Sequence, residues 1–585
     1  MKKNLKFLQI DFNPKNFLLC LVFIMAVFPL TSYSQEVWNY VQNNRTVTYD
    51  EAIQFYHSIA NNDSRCKIIT YGKTDCGRPL ELLIINPKKI FERNAIKDQI
   101  VILINNGIHP GEPDGIDASI RLVHDWKTGK IKIPDNIVLA IIPVYNIDGA
   151  LNRSSYTRIN QNGPVEAGFR GNARNLDLNR DFIKCDSKNA KSFCQLYQDW
   201  DPDIFIDTHV SDGADYSYIM TLIDSQKDKL SPAIRQLMQN SIKPALYASM
   251  KKKKIEMIPY VNVFGDDPSK GIAAFYESPR FASGYAALFH CFPFVTETHM
   301  LKPFQERVEA TYQFLLSSME VADNNKNEII IARIKAKENA ISETQFYLNW
   351  QLDTTLVDSL LFKGYEINTI HSEITGKDRF VFDHNKAYSR NIGFENNYLP
   401  TDSVIKPRAY VIPQAWSEVI ERLQLNGIEM TEIKNDTMID AEMYYIENYQ
   451  TGKSPYEGHY LHSKITTRSD QQHIHCFKGD WIVYTNQWKN RYVIETLEPR
   501  AVDGFFAWNF FDAILQQKEW FSDYLFEDIA SQMLAHDPQL KVDFESRKQR
   551  DIVFANDSWA QLTYLYQKSK YYEKSHLRYP ILRIP

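Results

Sequence analysis

Four stretches of this chain carry side chains able to hold a cation or move a proton. The first is His109-Pro-Gly-Glu112. Neutral imidazole and carboxylate are both good ligands for a divalent metal, and two His with one Glu leave a fourth position open for water. Alone the pair says little. A chain with 14 His carries about one His-x-x-Glu by chance. Its weight comes from the three later stretches: Arg170-Gly-Asn172-Ala-Arg174-Asn-Leu-Asp177-Leu-Asn179-Arg180, then His209, then Glu297. These are the groups amide hydrolysis asks for. A carboxylate can take a proton from an activated water. A guanidinium can offset an oxyanion, and a planar fork matches a carboxylate better than an ammonium does.

The elements around these residues place them at strand ends. Val101–Ile104 reads as a buried strand that breaks into a Gly- and Pro-rich turn at His109. A helical stripe of Ile116, Ile120, Leu122 and Val123 comes next. Residues 137–144 form a second buried strand, ending in Tyr145-Asn146-Ile-Asp148-Gly149. A polar loop covers 150–182 and a helix 187–200. Asp203–His209 and Phe292–His299 are two more strands. Lys67–Gly72 and Leu80–Asn86 pair around the Gly-Arg-Pro turn at 77–79, after a helical lead-in within 35–65. Strands alternating with helices predict an α/β layered domain. Polar residues at one end of successive strands are what a built site looks like, because ligands bind beyond the carboxyl ends of such strands.

In order, context and local sequence, these motifs resemble the zinc carboxypeptidase family, the carboxypeptidase A type of metallopeptidase. The resemblance covers roughly 65–320 and rests on His109-x-x-Glu112, the Asn-x-Asp-Gly turn at 146–149, the 170–180 run, the lone His209 and the late Glu in Thr296-Glu297-Thr298. It implies a mixed central sheet with helices on both faces. It implies one Zn²⁺ per chain on His109, Glu112 and His209, with Asp177 orienting His109 by accepting its ring N–H. Glu297 would be general base and then acid, and Arg170 would help stabilise the oxyanion, with Arg174 as the rival for that place. Asn179 and Arg180 would grip the terminal carboxylate of a peptide. For the family's capping Tyr the candidates are Tyr276 and Tyr285, with Tyr285 taken as the substrate contact. Arg280 is either a further carboxylate contact or a plain surface Arg. His299 is read either as a support behind the metal ligands or as structural, and His124 as a helix-surface residue.

Composition sets the frame. The chain has 585 residues, with 44% hydrophobic and 24% charged residues, ordinary for a globular protein. A net charge of −5 gives no reason to expect nucleic acid as a partner. Lys2, Lys3 and Lys6 precede an apolar run from Phe17 to Leu30 and a small-residue stretch to Ser34. Residues 1–34 therefore read as a cleaved secretory signal, with a secreted or periplasmic product and no stable membrane span after cleavage. Cys66, Cys76, Cys185, Cys194, Cys291 and Cys476 remain, and their connectivity stays open. The expected division is a catalytic domain over 35–325, a charged linker over 326–342, and a C-terminal mixed α+β accessory region over 343–585. In that region 407–433 resembles a β-α-β unit and about 505–570 is helical and aromatic. His459-x-x-His462 and His473-x-His475-Cys476 lack an evident third ligand. The sequence thus predicts a secreted metallocarboxypeptidase cutting a C-terminal amide bond. Two other readings stand beside it. One puts the same zinc site to work on peptidoglycan stem peptides or N-acyl amino acids. The other is a non-catalytic peptide- or glycan-binding relative, which the presence of Glu297 disfavours.

Overall fold

The protein is described here by a computed structural model covering residues 40–263 and 267–585. The predicted signal, 1–34, lies outside the described residues. The first part of the chain builds an eight-stranded sheet. Its strands are β1 (Cys66–Lys73), β2 (Pro79–Ile85), β3 (Ile100–Asn105), β4 (Ile137–Ile142), β5 (Ile204–Ser211), β6 (Met220–Asp224), β7 (Met257–Pro259) and β8 (Phe292–His299). The order across the sheet is β1-β2-β4-β3-β5-β8-β6-β7. The centre, β4-β3-β5-β8, is parallel, while β1, β2 and β6 pair antiparallel toward the edges.

Parallel central strands need both faces covered, and their composition shows it. Every residue of β3 and of β4 is buried. Side chains alternate across the sheet, so β3 feeds two cores. Ile100, Ile102 and Ile104 belong to one, Val101 and Leu103 to the other. The first core is closed by α1 (Tyr49–Asn61), α2 (Asp114–Lys127) and the 21-residue α6 (Phe304–Asn324). The second is closed by α3 (Lys188–Trp200) and α5 (Ala282–Leu288), together with residues from far down the chain such as Tyr410, Leu423 and Tyr492. Between α3 and α5, α4 (Lys243–Lys252) packs its Leu246 and Met250 into the first core. The mixed sheet with helices on both faces is therefore present. Part of the covering on one face comes from the C-terminal region.

Residues 326–342, whose charge pattern marks a domain edge as either a helix or a linker, form a helix, α7 (Lys326–Ser342). Glu328, Lys335 and Glu338 lie on its solvent side. Its inner side buries Ile329, Ala332, Ala336 and Ala340. Arg333 is buried too, bonding Asp201 and Asp203 at 2.6 Å each. Beyond it, a six-stranded sheet runs in the order 431–432, 481–484, 409–412, 582–584, 437–451, 462–476. The 407–433 unit is a β-α-β crossover with strand 481–484 inserted between its two strands. Two hairpins, 358–395 and 437–476, are much longer than the short strands expected. Their outer reaches are exposed on both faces, so no apolar alternation marks them. Helices between 523 and 568 make a separate small core.

Candidate metal centre

His109 and Glu112 lie on the loop between β3 and α2. The loop is a single turn closed by Glu112 N–H donating to the His109 carbonyl at 2.8 Å. That turn explains the spacing, since it folds the carboxylate back over the imidazole. Glycine is required nearby. A Cβ on Gly115 would stand 2.0 Å from Thr208 Oγ1, so the start of α2 lies directly on β5. Asp207 and His209 are two residues apart on β5 and share a face. Glu297 on β8 pairs in register with His209, which puts the two side chains beside each other. Asn146 ties two loops together: its side chain donates to the Ile108 carbonyl at 3.3 Å and to the Arg170 carbonyl at 2.9 Å.

The resulting centre is buried. His109, Glu112 and His209 are each no more than 4% exposed, and one ligand atom from each lies within 4.8 Å of the others. Both imidazoles present Nδ1 to Glu112: His209 Nδ1 is 3.1 Å from Oε2, and His109 Nδ1 is 3.3 Å from Oε1. Both turn Nε2 to an aspartate: His109 to Asp177 at 2.9 Å, His209 to Asp207 at 2.8 Å. His109 Nδ1 is buried with no hydrogen-bond partner. Such an atom is costly unless something binds it. Two nitrogens and one carboxylate oxygen converging on one point, each ring braced from behind, suit Zn²⁺. Among the described residues no other His, Cys, Asp and Glu cluster meets this standard.

The electrostatics follow from burial and close charges. Burial pushes the Glu112 carboxyl up, but His109 and Arg158 outweigh it and hold the group well below the usual carboxylate range. Asp177 behaves alike: burial raises it, and His109 and Arg170 more than reverse that. Burial opposes charge on His209, yet Asp207 and Glu112 lift it well above the usual imidazole value. Glu297 is pushed up to about 8 by burial, with Glu112 adding to the rise and His209 opposing it. It is thus a carboxylate with an unusually high affinity for a proton.

A cleft of 350 Å³ opens over the centre, lined by His109, Glu112 and His209 together with Arg170, Asn179, Arg180 and Glu297. The three metal-ligand candidates, the base candidate and the three substrate-facing candidates thus share one cavity. Arg170 donates to Asp177 Oδ2 at 2.9 Å and to Glu112 Oε1 at 3.4 Å. Arg174 points away, donating to the Asp186 carbonyl at 2.7 Å. Asn179 accepts the Ala282 N–H at 3.0 Å, and the Arg180 guanidinium lies over the Phe281 ring at 4.4 Å.

Tyr285 must be corrected. It is fully buried on α5, packed among Phe182, Tyr197 and Phe289, with its hydroxyl donating to Asn426 at 2.6 Å. A side chain held in the core cannot cap a substrate. Tyr276 does not line the cleft either; its ring packs against Tyr398. The tyrosine that does line it is Tyr260, in the segment after β7. Arg280 is neither a plain surface residue nor part of the cleft lining, its guanidinium being bonded to the carboxylate of buried Asp503 at 2.7 Å. His299 is structural: its Nε2 lies 2.9 Å from the Ala214 carbonyl. His124 is partly exposed on α2 beside Asp125, as expected. The six cysteines are free, with the Cys185 and Cys194 sulfurs 3.8 Å apart.

Three further residues of the site went unnoticed in the sequence. Asp207 was detectable, because Asp-x-His on a strand puts both side chains on one face. Arg158, which donates to Glu112 Oε1 at 2.8 Å, lies in a polar loop with no periodicity to single it out. Glu277 lines the cleft at 2% exposure and its Oε2 has no partner. Its neighbours Phe275 and Phe281 gave no hint of an acid pointing inward.

Residues 53–263 match the zinc carboxypeptidase family. That stretch holds His109, Glu112, Arg170 and His209 and stops short of Glu297. Carboxypeptidase 2 of Trichophyton rubrum is 21% identical over 477 residues, which span 78% of this chain and 83% of the relative. Carboxypeptidase 2 of Trichophyton equinum is 21% identical over 483 residues with the same coverage. Among solved structures, the carboxypeptidase A from Helicoverpa armigera aligns with 50% of this chain and 75% of its own, at 15% identity and a TM-score of 0.37. A metallo-carboxypeptidase from Pseudomonas aeruginosa, in complex with (2-guanidinoethylmercapto)succinic acid, aligns with 48% and 70%, at 14% identity and a TM-score of 0.36.

Proposed function

We propose that this chain, whose residues 53–263 match the zinc carboxypeptidase family, hydrolyses the C-terminal amide bond of a peptide outside the cytoplasm. The observation that carries the reading is the single cavity joining His109, Glu112 and His209 to Glu297, Asn179 and Arg180. A metal-activated hydrolase needs the first four. An exopeptidase needs the last two, because gripping a free α-carboxylate is what fixes cleavage one residue from the end.

His109, Glu112 and His209 would hold the zinc, which when bound supplies a water whose pKa falls to about 7 and a Lewis acid for the carbonyl. Asp177 and Asp207 hold the two rings in the orientation that presents Nδ1. Glu297 takes the proton from the attacking water and returns it to the departing amine. Its raised proton affinity suits both halves of that task. Arg170 offers a guanidinium, 43% exposed, toward the carbonyl oxygen as charge develops. Asn179 and Arg180 orient the substrate through its terminal carboxylate, a bidentate match for a guanidinium. Tyr260, Phe275 and Phe281 wall the cavity and limit water.

The Glu277 Oε2 atom, buried in the same wall without a hydrogen-bond partner, favours a terminal side chain carrying a hydrogen-bond donor or a cation. The test is hydrolysis of paired peptides with free and amidated C-termini, each with and without a metal chelator. Cleavage of the free form alone, abolished by chelator, is expected. Equal cleavage of both forms, or indifference to chelator, rejects the reading, and preference for muropeptides or N-acyl amino acids would redirect it. Within the peptide panel, Glu277→Gln should lower kcat/KM for Lys- or Arg-ended substrates about tenfold relative to Leu-ended ones, the order of a lost charge-assisted contact. An unchanged ratio would remove Glu277 from substrate selection.

A further inference from the structure

The turn carrying Asp177, Asn179 and Arg180 is held from outside the catalytic domain. Asp177 spends its side chain on His109, Arg170 and the Asn179 N–H. Its backbone N–H donates instead to Glu457 Oε2, 280 residues along the chain, at 2.7 Å. Glu457 sits in the loop 453–461, inside the hairpin of strands 437–451 and 462–476 of the C-terminal region. Glu457 has φ +50° and Gly458 φ +84°. They are the two central residues of a tight turn that Tyr456 and His459 close with backbone hydrogen bonds of 2.7 and 3.0 Å, and a two-residue hairpin turn of this kind takes positive φ at both positions.

The same region clamps the other end of the segment. His459 Nε2 lies 2.7 Å from Asp186 Oδ2, and its ring stacks on Phe510. Arg422 donates to the Lys184 carbonyl and, at 3.1 Å, to Asp186 Oδ1. Docking alone does not call for an acid beside Asp177. Burial raises the Glu457 carboxyl most and the charge on Asp177 adds to the rise, while the Asp177 N–H, Lys184 and Arg180 work the other way. An apolar contact would have joined the two regions without that conflict. What the carboxylate adds is a fixed acceptor for one N–H, and with it a fixed height for the turn.

We propose that Glu457 is a positioning residue of the active site. Through the Asp177 N–H it sets both the carboxylate that braces His109 and the Asn179-Arg180 pair. The C-terminal region thereby completes the centre rather than merely accompanying it. The substrate arm of this inference rests on the carboxypeptidase reading; the metal arm does not.

The experiment compares Glu457→Ala and Glu457→Gln in the full chain. Zinc affinity is read by competition with a chromogenic chelator, KM and kcat on a peptide with a free C-terminus, and the melting temperature separately. Glu457→Ala should weaken zinc binding about tenfold, the lower end for losing support behind a ligand, and raise KM more than it lowers kcat. Glu457→Gln, whose carboxamide oxygen can accept the same N–H, should restore both. A variant that lowers only the melting temperature, with zinc affinity and KM within twofold of wild type, would make Glu457 a docking contact and overturn the proposal. So would a Gln variant as impaired as Ala. Should the Ala variant fail to fold, Glu457→Asp, one methylene too short to reach Asp177, gives the same two readings. If no peptide is cleaved by any form, the zinc arm still decides on Glu457 while the carboxypeptidase reading fails by itself.

Discussion

At the scale of the residue, each group that would face the metal is paired with a partner that fixes it. Asp207 stands to His209 as Asp177 stands to His109, and Asp207 is itself held by Asn105 at 3.0 Å. Replacing Asp207 by Asn keeps the size but allows the wrong tautomer of His209. Zinc affinity should fall by about 10- to 100-fold, measured by chelator competition; unchanged affinity would show that the strand alone orients the ring. Glu297 has a different place. It adjoins His209 in register but is not among the three groups whose ligand atoms converge. Glu297→Gln should therefore cost about 10²- to 10⁴-fold in kcat while metal analysis still finds one zinc per chain. Loss of the metal with the activity would make Glu297 a ligand instead.

At the scale of the element, α7 is the joint between the two parts of the chain. Its charges are directed as well as solvating: Arg333 and Lys337 both bond Asp201 at the end of α3. Burial raises the Asp201 carboxyl, but the two cations outweigh it and hold it at about 2. An unfolded Asp titrates near 4. The folded value is the lower one, so the stabilisation is complete above about pH 4 and disappears as the pH falls through about 2. Asp201→Asn should be less stable than wild type at pH 6, by denaturant midpoint, and the two should converge toward pH 2. A constant gap across that range would mean that Asn disrupts packing, not charge.

At the scale of the molecule, the second face of the catalytic sheet and the C-terminal region share one apolar core. Leu103, Phe205 and Tyr285 lie in it with Tyr410, Leu423 and Tyr492. Burial of side chains of this size stabilises by about 1.5–3 kcal/mol each, and none of that is available to either part alone. Calorimetry should accordingly show 65–320 and the sheet of the C-terminal region melting in one transition. Two resolved transitions, the first leaving the zinc in place, would show that the regions fold independently and would weaken the role given to Glu457.

Much of the centre was legible in the linear chain. Buried strands declare themselves as unbroken apolar runs, and the residues at their ends inherit a common location from the layered topology. His109, Glu112, His209 and Glu297 could be brought to one end of the sheet on that ground, while Asp177, Asn179 and Arg180 followed from the resemblance to zinc carboxypeptidases. Tyr285 could not be placed, because an aromatic residue reads alike in a lid and in a core until its neighbours are known. Arg158, Tyr260 and Glu277 come from loops and short strands whose course depends on packing and not on any local pattern. The clamp from Glu457 was further still from view. A hydrogen bond between residues 280 positions apart leaves no periodicity in either segment. Strand pattern put the candidate ligands at one end of the sheet and the family resemblance supplied their roles; the walls of the cleft and its outer support exist only once distant surfaces have been buried against each other.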